Sequence, residues 1–250
     1  MNTSNYDHDI LNQSEAWAAT DGLHKVEREV GQVEHLTVQG SIDVVIVAGA
    51  EPRIIVASDS PGGDSVQIRQ SGSRLEIKHE GLNVESAGGS IRVSGSGNIV
   101  AGRSISIRSG GAVVVLAGGQ GNITYQGERT VVAVMLPFAP NAVLAGSGSI
   151  ELLAVDQENL DLSITGSGSI SAKGRVNRLT ASLMGSGDFR LGKLEAQSAD
   201  LAVSGSGDIK STIRESASAK VTGSGDIVIK GNPAKREKLV TGSGSVRFKD

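Results

Sequence analysis

The chain has no cysteine, and its 250 residues include only 3 phenylalanines, 2 tyrosines, 1 tryptophan and 5 prolines. Without cysteine there are no disulfides, thiolate metal sites or cysteine nucleophiles, and the redox compartment stays open. With so few aromatics, a core must be built from Val, Ile, Leu and Ala, which favours thin aliphatic layers. The aromatic residues Tyr6, Trp17, Tyr125, Phe138, Phe189 and Phe248 are scattered, so no platform for stacking bases or sugars is visible. Neither charge sign dominates: 24 Lys and Arg face 27 Asp and Glu, a net charge of −3, which provides no basic field to attract nucleic acid. Apolar stretches such as 131–140 are too short to cross a bilayer, so no membrane insertion is expected. The first ten residues are polar and acidic, with no basic n-region, apolar h-region or lipid-attachment cysteine, so no signal peptide is read there.

What the chain does have is glycine, 34 residues of it, and the glycines do not recur every third position as collagen requires. The tripeptide G-S-G begins at Gly95, Gly146, Gly166, Gly185, Gly205, Gly223 and Gly242, with a degenerate copy, Gly119-Gln120-Gly121-Asn122-Ile123, in the long gap. After each copy come Asn, Ser or Asp and then an apolar residue: Asn98-Ile99, Ser149-Ile150, Ser169-Ile170, Asp188-Phe189, Asp208-Ile209, Asp226-Ile227 and Ser245-Val246. Before each copy the pattern alternates, as at Leu160, Leu162 and Ile164. Period-two alternation broken by a Gly-rich corner predicts short strands joined by turns. The expected fold is therefore all-β: a β-solenoid, or single-stranded β-helix, with coils of about 19–20 residues. Coils stacked roughly 4.8 Å apart pair every strand with its neighbours and share one core.

The structural residues of this reading are the corner glycines Gly146, Gly148, Gly166, Gly168, Gly185, Gly187, Gly205, Gly207, Gly223, Gly225, Gly242 and Gly244. Glycine suits a corner that needs positive φ or room for the adjacent backbone. Upstream, alternating segments at 36–47, 53–57, 66–69 and 75–78 are separated by the turn clusters 49–52 and 60–64. The domain organisation expected is a polar N-terminal segment over 1–30, with a short helix near 12–19 or no order; a β capping module over 31–90; and Gly-rich β-helix repeats over 91–250.

Few residues suggest chemistry. Asp188, Asp208 and Asp226 fall in the same slot of successive coils, where a ladder of carboxylates could hold a Ca²⁺-like ion. The same slot holds Asn98, Asn122, Ser149, Ser169 and Ser245, and what Asp, Asn and Ser share is hydrogen bonding to turn backbone, which is the preferred reading. Serine in G-S-G does not match the G-x-S-x-G nucleophile elbow, and repetition at seven corners favours a structural role. No G-x-G copy completes a dinucleotide fingerprint and no G-K-[ST] occurs, so no cofactor is expected. His8, His24, His35 and His79 show no metal-ligand spacing, and no metal is expected. The cluster Lys230, Lys235, Arg236, Lys238, Arg247 and Lys249 lies beside a terminal edge, where cations serve solubility. Phe189 is expected in the core and Phe248 at the last coil.

Three features together resemble the bacterial putative auto-transporter adhesins with a head GIN domain: Val38-Gln39-Gly40-Ser41-Ile42-Asp43-Val44 with Gly49 and then Leu75-Glu76-Ile77; Val134-Met135-Leu136-Pro137; and the G-S-G-[SDN]-I repeats. The resemblance spans about 26–250. It implies a β-helical architecture in exported or envelope-associated proteins, and so a non-enzymatic binding or structural role, adhesin-like, toward a protein or glycan surface. Coil edges that a solenoid cannot close predict a homo-oligomer. The alternative is a cytosolic self-assembling scaffold resembling bactofilin-type β-helices, and a minor alternative is a carbohydrate-active enzyme on a β-helix.

Overall fold

The structure, a computed structural model, describes residues 22–58, 66–79, 83–87, 90–94, 98–101, 105–108, 113–116, 123–126 and 130–249, with side chains described in 22–58, 66–79 and 130–249. The expected helix near 12–19, the G-S-G copy at Gly95 and the degenerate copy at Gly119 lie outside these residues. No helix occurs among the described residues.

The strands are β1 (His24–Glu29), β2 (His35–Gly40), β3 (Asp43–Ala48), β4 (Arg53–Ser58), β5 (Val66–Ser71), β6 (Arg74–His79), β7 (Asn83–Ala87), β8 (Ser90–Ser94), β9 (Asn98–Ala101) and β10 (Ile105–Arg108). They continue as β11 (Val113–Leu116), β12 (Ile123–Gln126), β13 (Thr130–Leu136), β14 (Asn141–Gly146), β15 (Ser149–Gly166), β16 (Ser169–Gly185), β17 (Asp188–Gly205), β18 (Asp208–Gly223), β19 (Asp226–Lys230), β20 (Lys235–Gly242) and β21 (Ser245–Lys249). Fifteen of them form one sheet that wraps on itself, the β-solenoid.

β15 to β18 are each most of a coil, paired in parallel with the next. Register jumps, such as that between Leu152 and Val155, divide β15 into a leading run after the corner, a short run, and a trailing run into the next corner. Stacked, these runs make a leading, a short and a trailing face. Alternation decides what points inward: in the coil of β16, Ile170, Ala172, Val176, Leu179, Ala181 and Leu183 are all buried. Burying each Leu, Ile or Val is worth about 1.5–3 kcal/mol, and successive coils share the layer. Phe189 takes the place of Ile170 one coil on and is 1% exposed.

The stack begins earlier in the chain than the G-S-G copies. β2, the corner 40–42 and β3 form a coil of their own, β2 pairing with β14 and β3 with β15, both in parallel. Beyond it lie β6 on the trailing face and β13 on the leading face, again parallel. β4 then continues the leading face antiparallel to β13, β1 pairs antiparallel with β4 and so runs with the stack again, and β5 continues the trailing face antiparallel to β6. β7, β8, β10 and β12 form a separate sheet, and β9 pairs with β11.

The alternation read over 36–47 gives way in β3, where Val44, Val45, Ile46 and Val47 are all buried. Val44 and Ile46 join the main core, whereas Val45, Val47, Val131 and Leu153 form a second apolar cluster on the other side of the sheet. Burial on both faces explains the unbroken apolar sequences of β3, β4 and β13.

Candidate binding surfaces

Each corner repeats one hydrogen-bond unit. The carbonyl oxygen of Gly146 accepts the N–H groups of Ser167 and Gly168, both at 3.0 Å, and that of Gly166 accepts Ser186 at 3.0 Å and Gly187 at 3.1 Å. The second glycine serves the slot residue of the next coil: Gly168 O accepts the N–H of Asp188 at 3.0 Å. This unit requires close approach. A Cβ on Gly166, whose φ is +127°, would lie 2.5 Å from Gly146 O. The serine side chains between the glycines face solvent. Gly40-Ser41-Ile42 is a corner that the G-S-G search passes over, with Gly40 O accepting Ser147 N at 3.1 Å and Gly148 N at 3.2 Å. The signal that marks it is Asp43-Val44, the same slot-then-apolar pair that follows every G-S-G.

The slot column holds Asp43, Ser149, Ser169, Asp188, Asp208, Asp226 and Ser245. Asp188 and Asp208 are register partners. Asp208 Oδ1 accepts the backbone N–H of Asp226 at 3.0 Å, and Asp226 Oδ1 accepts the Ser245 hydroxyl at 2.8 Å. Asp43 Oδ1 likewise accepts the Ser149 hydroxyl at 2.6 Å. Asp188 and Asp226 also lie 3.5 and 3.7 Å from the guanidinium groups of Arg190 and Arg247. The carboxylates are thus held by backbone, hydroxyl and guanidinium donors. Among the described residues, no group of three or more His, Asp or Glu side chains is placed to hold a metal ion. His24 opens β1, His35 opens β2 and His79 closes β6; His8 lies outside the described residues.

The three faces differ in what they present to solvent. The short face carries charge that alternates along the stack: Arg175 pairs with Asp156 at 3.2 Å and has Glu195 as register partner, and Glu195 pairs with Arg214 at 2.6 Å. The trailing face near the corners carries almost none. One outward column there runs Thr37, Val143, Ser163, Ser182, Ala202, and the next runs Gln39, Ala145, Thr165, Met184, Ser204, Thr222, Thr241. Charge enters the first column at Lys220, which is followed by Leu239, and at the other end of the stack at Glu76, the register partner of Thr37, with Lys78 beside Gln39 in the next column. Met184 and Val143 are exposed in the middle of this hydroxyl-rich surface. Farther from the corners, a shallow groove of about 260 Å³ opens over Ser198, Ser216 and Ser218, between Arg178, Asp200, Lys235 and Glu237. Arg178 closes on Asp200 at 2.7 Å.

At the C-terminal end, every residue of β20 is exposed. Its Arg236 and Lys238 are register partners of Ala217 and Ala219, so cations occupy positions that point into the core in the coil before. Arg236 lies over the Phe248 ring, 5.1 Å from its centroid, and donates to Pro233 O at 2.7 Å and to Asn232 Oδ1. Phe248 is half-buried against the core at this end.

A stack of parallel coils with glycine corners, a charge-poor face and a cationic end defines a β-solenoid. Residues 33–233 match the family described as putative auto-transporter adhesin, head GIN domain, and the chain belongs to that family. Among solved structures, the fold is similar to a putative adhesin from Bacteroides fragilis, at 14% identity and a TM-score of 0.61 over 92% of this chain and 99% of the other. It is also similar to a putative lipid binding protein from Parabacteroides distasonis, at 22% identity and a TM-score of 0.51 over 92% of this chain and 98% of the other. At these identities the likeness is one of fold. No curated protein matches the chain.

Proposed function

We propose that the chain is a non-enzymatic, adhesin-like module of the bacterial cell envelope whose trailing face contacts a glycan or protein surface. The observation that carries this reading is the two outward columns running from Thr37 and Gln39 across the coils, with hydroxyls and small side chains at the strand spacing. Short side chains lose little rotamer freedom on contact, hydroxyls both donate and accept, and Met184 supplies an adaptable apolar contact. The family to which the chain belongs is described in adhesin terms, which supports a binding role in the envelope.

Capping, expected of residues 31–90, is proposed to reside in β4 and β5, which run antiparallel to the stack, and in β1, which pairs antiparallel with β4. Self-association is proposed to proceed side by side through the trailing face, because Arg236 and Lys238 oppose a further coil at the C-terminal end. That arrangement disfavours an end-to-end cytosolic scaffold.

Thr165→Arg with Ser204→Arg sets two exposed guanidinium groups on either side of Met184 without touching the core. The double variant is expected to keep the wild-type melting temperature and to lose binding to intact bacterial cells and to an immobilised glycan panel. Unchanged binding would remove the trailing face from the account. Resistance of the native protein to protease added outside intact cells would remove its surface location.

A further inference from the structure

We infer that the C-terminal end of the solenoid is a docking surface for an anionic phospholipid bilayer, which it meets end-on at the headgroup layer. Residues 226–250 carry six cations, Lys230, Lys235, Arg236, Lys238, Arg247 and Lys249, against Asp226, Glu237 and Asp250, in a chain whose total charge is −3. The net charge of this end is therefore opposite in sign to that of the rest.

Most of these cations are not consumed internally. Arg247 lies 3.7 Å from Asp226, and Arg236 is turned onto Phe248, Asn232 and Pro233. Lys230, Lys235, Lys238 and Lys249 make no ion pair or side-chain hydrogen bond among the described residues. They surround the end on different sides: Lys230 and Lys249 are register partners on the leading face, Lys235 begins the trailing face, and Lys238 stands at an inward position.

The form of the charge selects the partner. A shaped pocket with bidentate arginines would suit a single carboxylate or phosphate group. Here the free cations are lysines, mobile point charges on flexible stems, spread around a blunt end of the stack. Between them stand Leu239 and Val240, 57% and 38% exposed. Apolar side chains among lysines suit the headgroup and acyl boundary of a membrane surface, where the apolar groups settle in and the ammonium groups stay with the phosphates. This is adsorption to the surface and requires no spanning segment. Each lysine near an anionic leaflet is worth about 1 kcal/mol.

The test is flotation of the full chain with vesicles of phosphatidylcholine alone and of phosphatidylcholine with one third phosphatidylglycerol, at low salt and at high salt. Binding is expected only to the anionic vesicles and is expected to fall away at high salt. Lys235→Gln with Lys238→Gln, both at exposed positions, is expected to bind about 30-fold more weakly, with circular dichroism and melting unchanged. Leu239→Ser is expected to weaken binding that remains salt-sensitive. Equal binding to both vesicles, absence of binding to the anionic ones, or a double variant that binds like the wild type would each overturn the proposal. Faster sedimentation of the chain alone at low salt, lost in the double variant and without vesicle binding, would overturn it in favour of a second copy. The trailing-face variants Thr165→Arg and Ser204→Arg keep this end intact, so the two readings fail separately.

Discussion

Gly166 lies so close to the backbone of Gly146 on the neighbouring coil that a Cβ on Gly166 would stand 2.5 Å from the Gly146 carbonyl oxygen. The contact repeats down the corner, with 2.4 Å from Gly185 to Gly166 O and 2.2 Å from Gly205 to Gly185 O. The obstacle is backbone in a ladder that accepts two hydrogen bonds, so it cannot move aside cheaply.

Gly185→Ala is therefore expected to destabilise the fold by about 3 kcal/mol or more, combining this collision with a φ of +124°. Ser186→Ala, at the exposed residue beside it, is expected to change stability by less than about 0.5 kcal/mol. Urea unfolding of both variants separates a packing requirement of the glycines from a requirement for the serine hydroxyl. Equal effects of the two substitutions would contradict the account.

The slot carboxylates permit a test of whether the turn or an ion holds them. Asp208 accepts the Asp226 N–H at 3.0 Å, so Asp208→Ala is expected to cost about 1 kcal/mol and Asp208→Asn, which keeps the acceptor, markedly less. Millimolar Ca²⁺ or a chelator is expected to leave the melting temperature in place. A rise of several degrees with Ca²⁺ that Asp208→Asn abolishes would instead establish the ion ladder.

Much of this fold can be read from the chain because a solenoid writes its period into the sequence. Gly166-Ser167-Gly168-Ser169-Ile170 specifies corner, slot and first core residue in five positions, and the structure places Ile170 in the core accordingly. Less legible was the coil made by β2 and β3. Its corner has Ile42 where later corners have the second glycine, and its leading strand is apolar on both sides, which hides the period of two. The chain's path was illegible too: β6 and β13, far apart in sequence, flank that coil from outside, and no local pattern records a pairing at such separation. The surfaces were legible only in composition. That Ser163, Ser182 and Ala202 share an outward column depends on register, which shifts along the coils where Leu191 jumps to Glu195.

Ser211 is a flaw in the core that the sequence does not advertise. It is 1% exposed, its register partners are Leu191 and Ile229, and its hydroxyl has no hydrogen-bond partner. A buried unsatisfied hydroxyl costs about 1–3 kcal/mol. Ser211→Ala removes the hydroxyl without adding volume, and is expected to raise stability by about 1 kcal/mol, seen as an increase of roughly 2–4 °C in melting temperature. A decrease would mean that the hydroxyl is bonded in solution.

The last coil shows how the stack ends. In β18, Ala217, Ala219 and Val221 point inward, and their register partners in β20 are Arg236, Lys238 and Val240. A further coil, or the end of another copy, laid on β20 would have to bury two cations that have no carboxylate partner, at a cost of several kcal/mol each. Inward-pointing charge of this kind protects an open edge from pairing. Arg236→Ala with Lys238→Val restores the inward pattern of the preceding coil, and is expected to yield concentration-dependent end-to-end assemblies in sedimentation velocity and elongated particles by electron microscopy. Because the same substitutions remove two cations from the lipid-facing end, they are also expected to weaken binding to anionic vesicles, whereas Lys235→Gln alone is expected to weaken that binding without releasing assembly. A double variant that does not assemble end to end would show that something other than the inward charge keeps the edge from pairing.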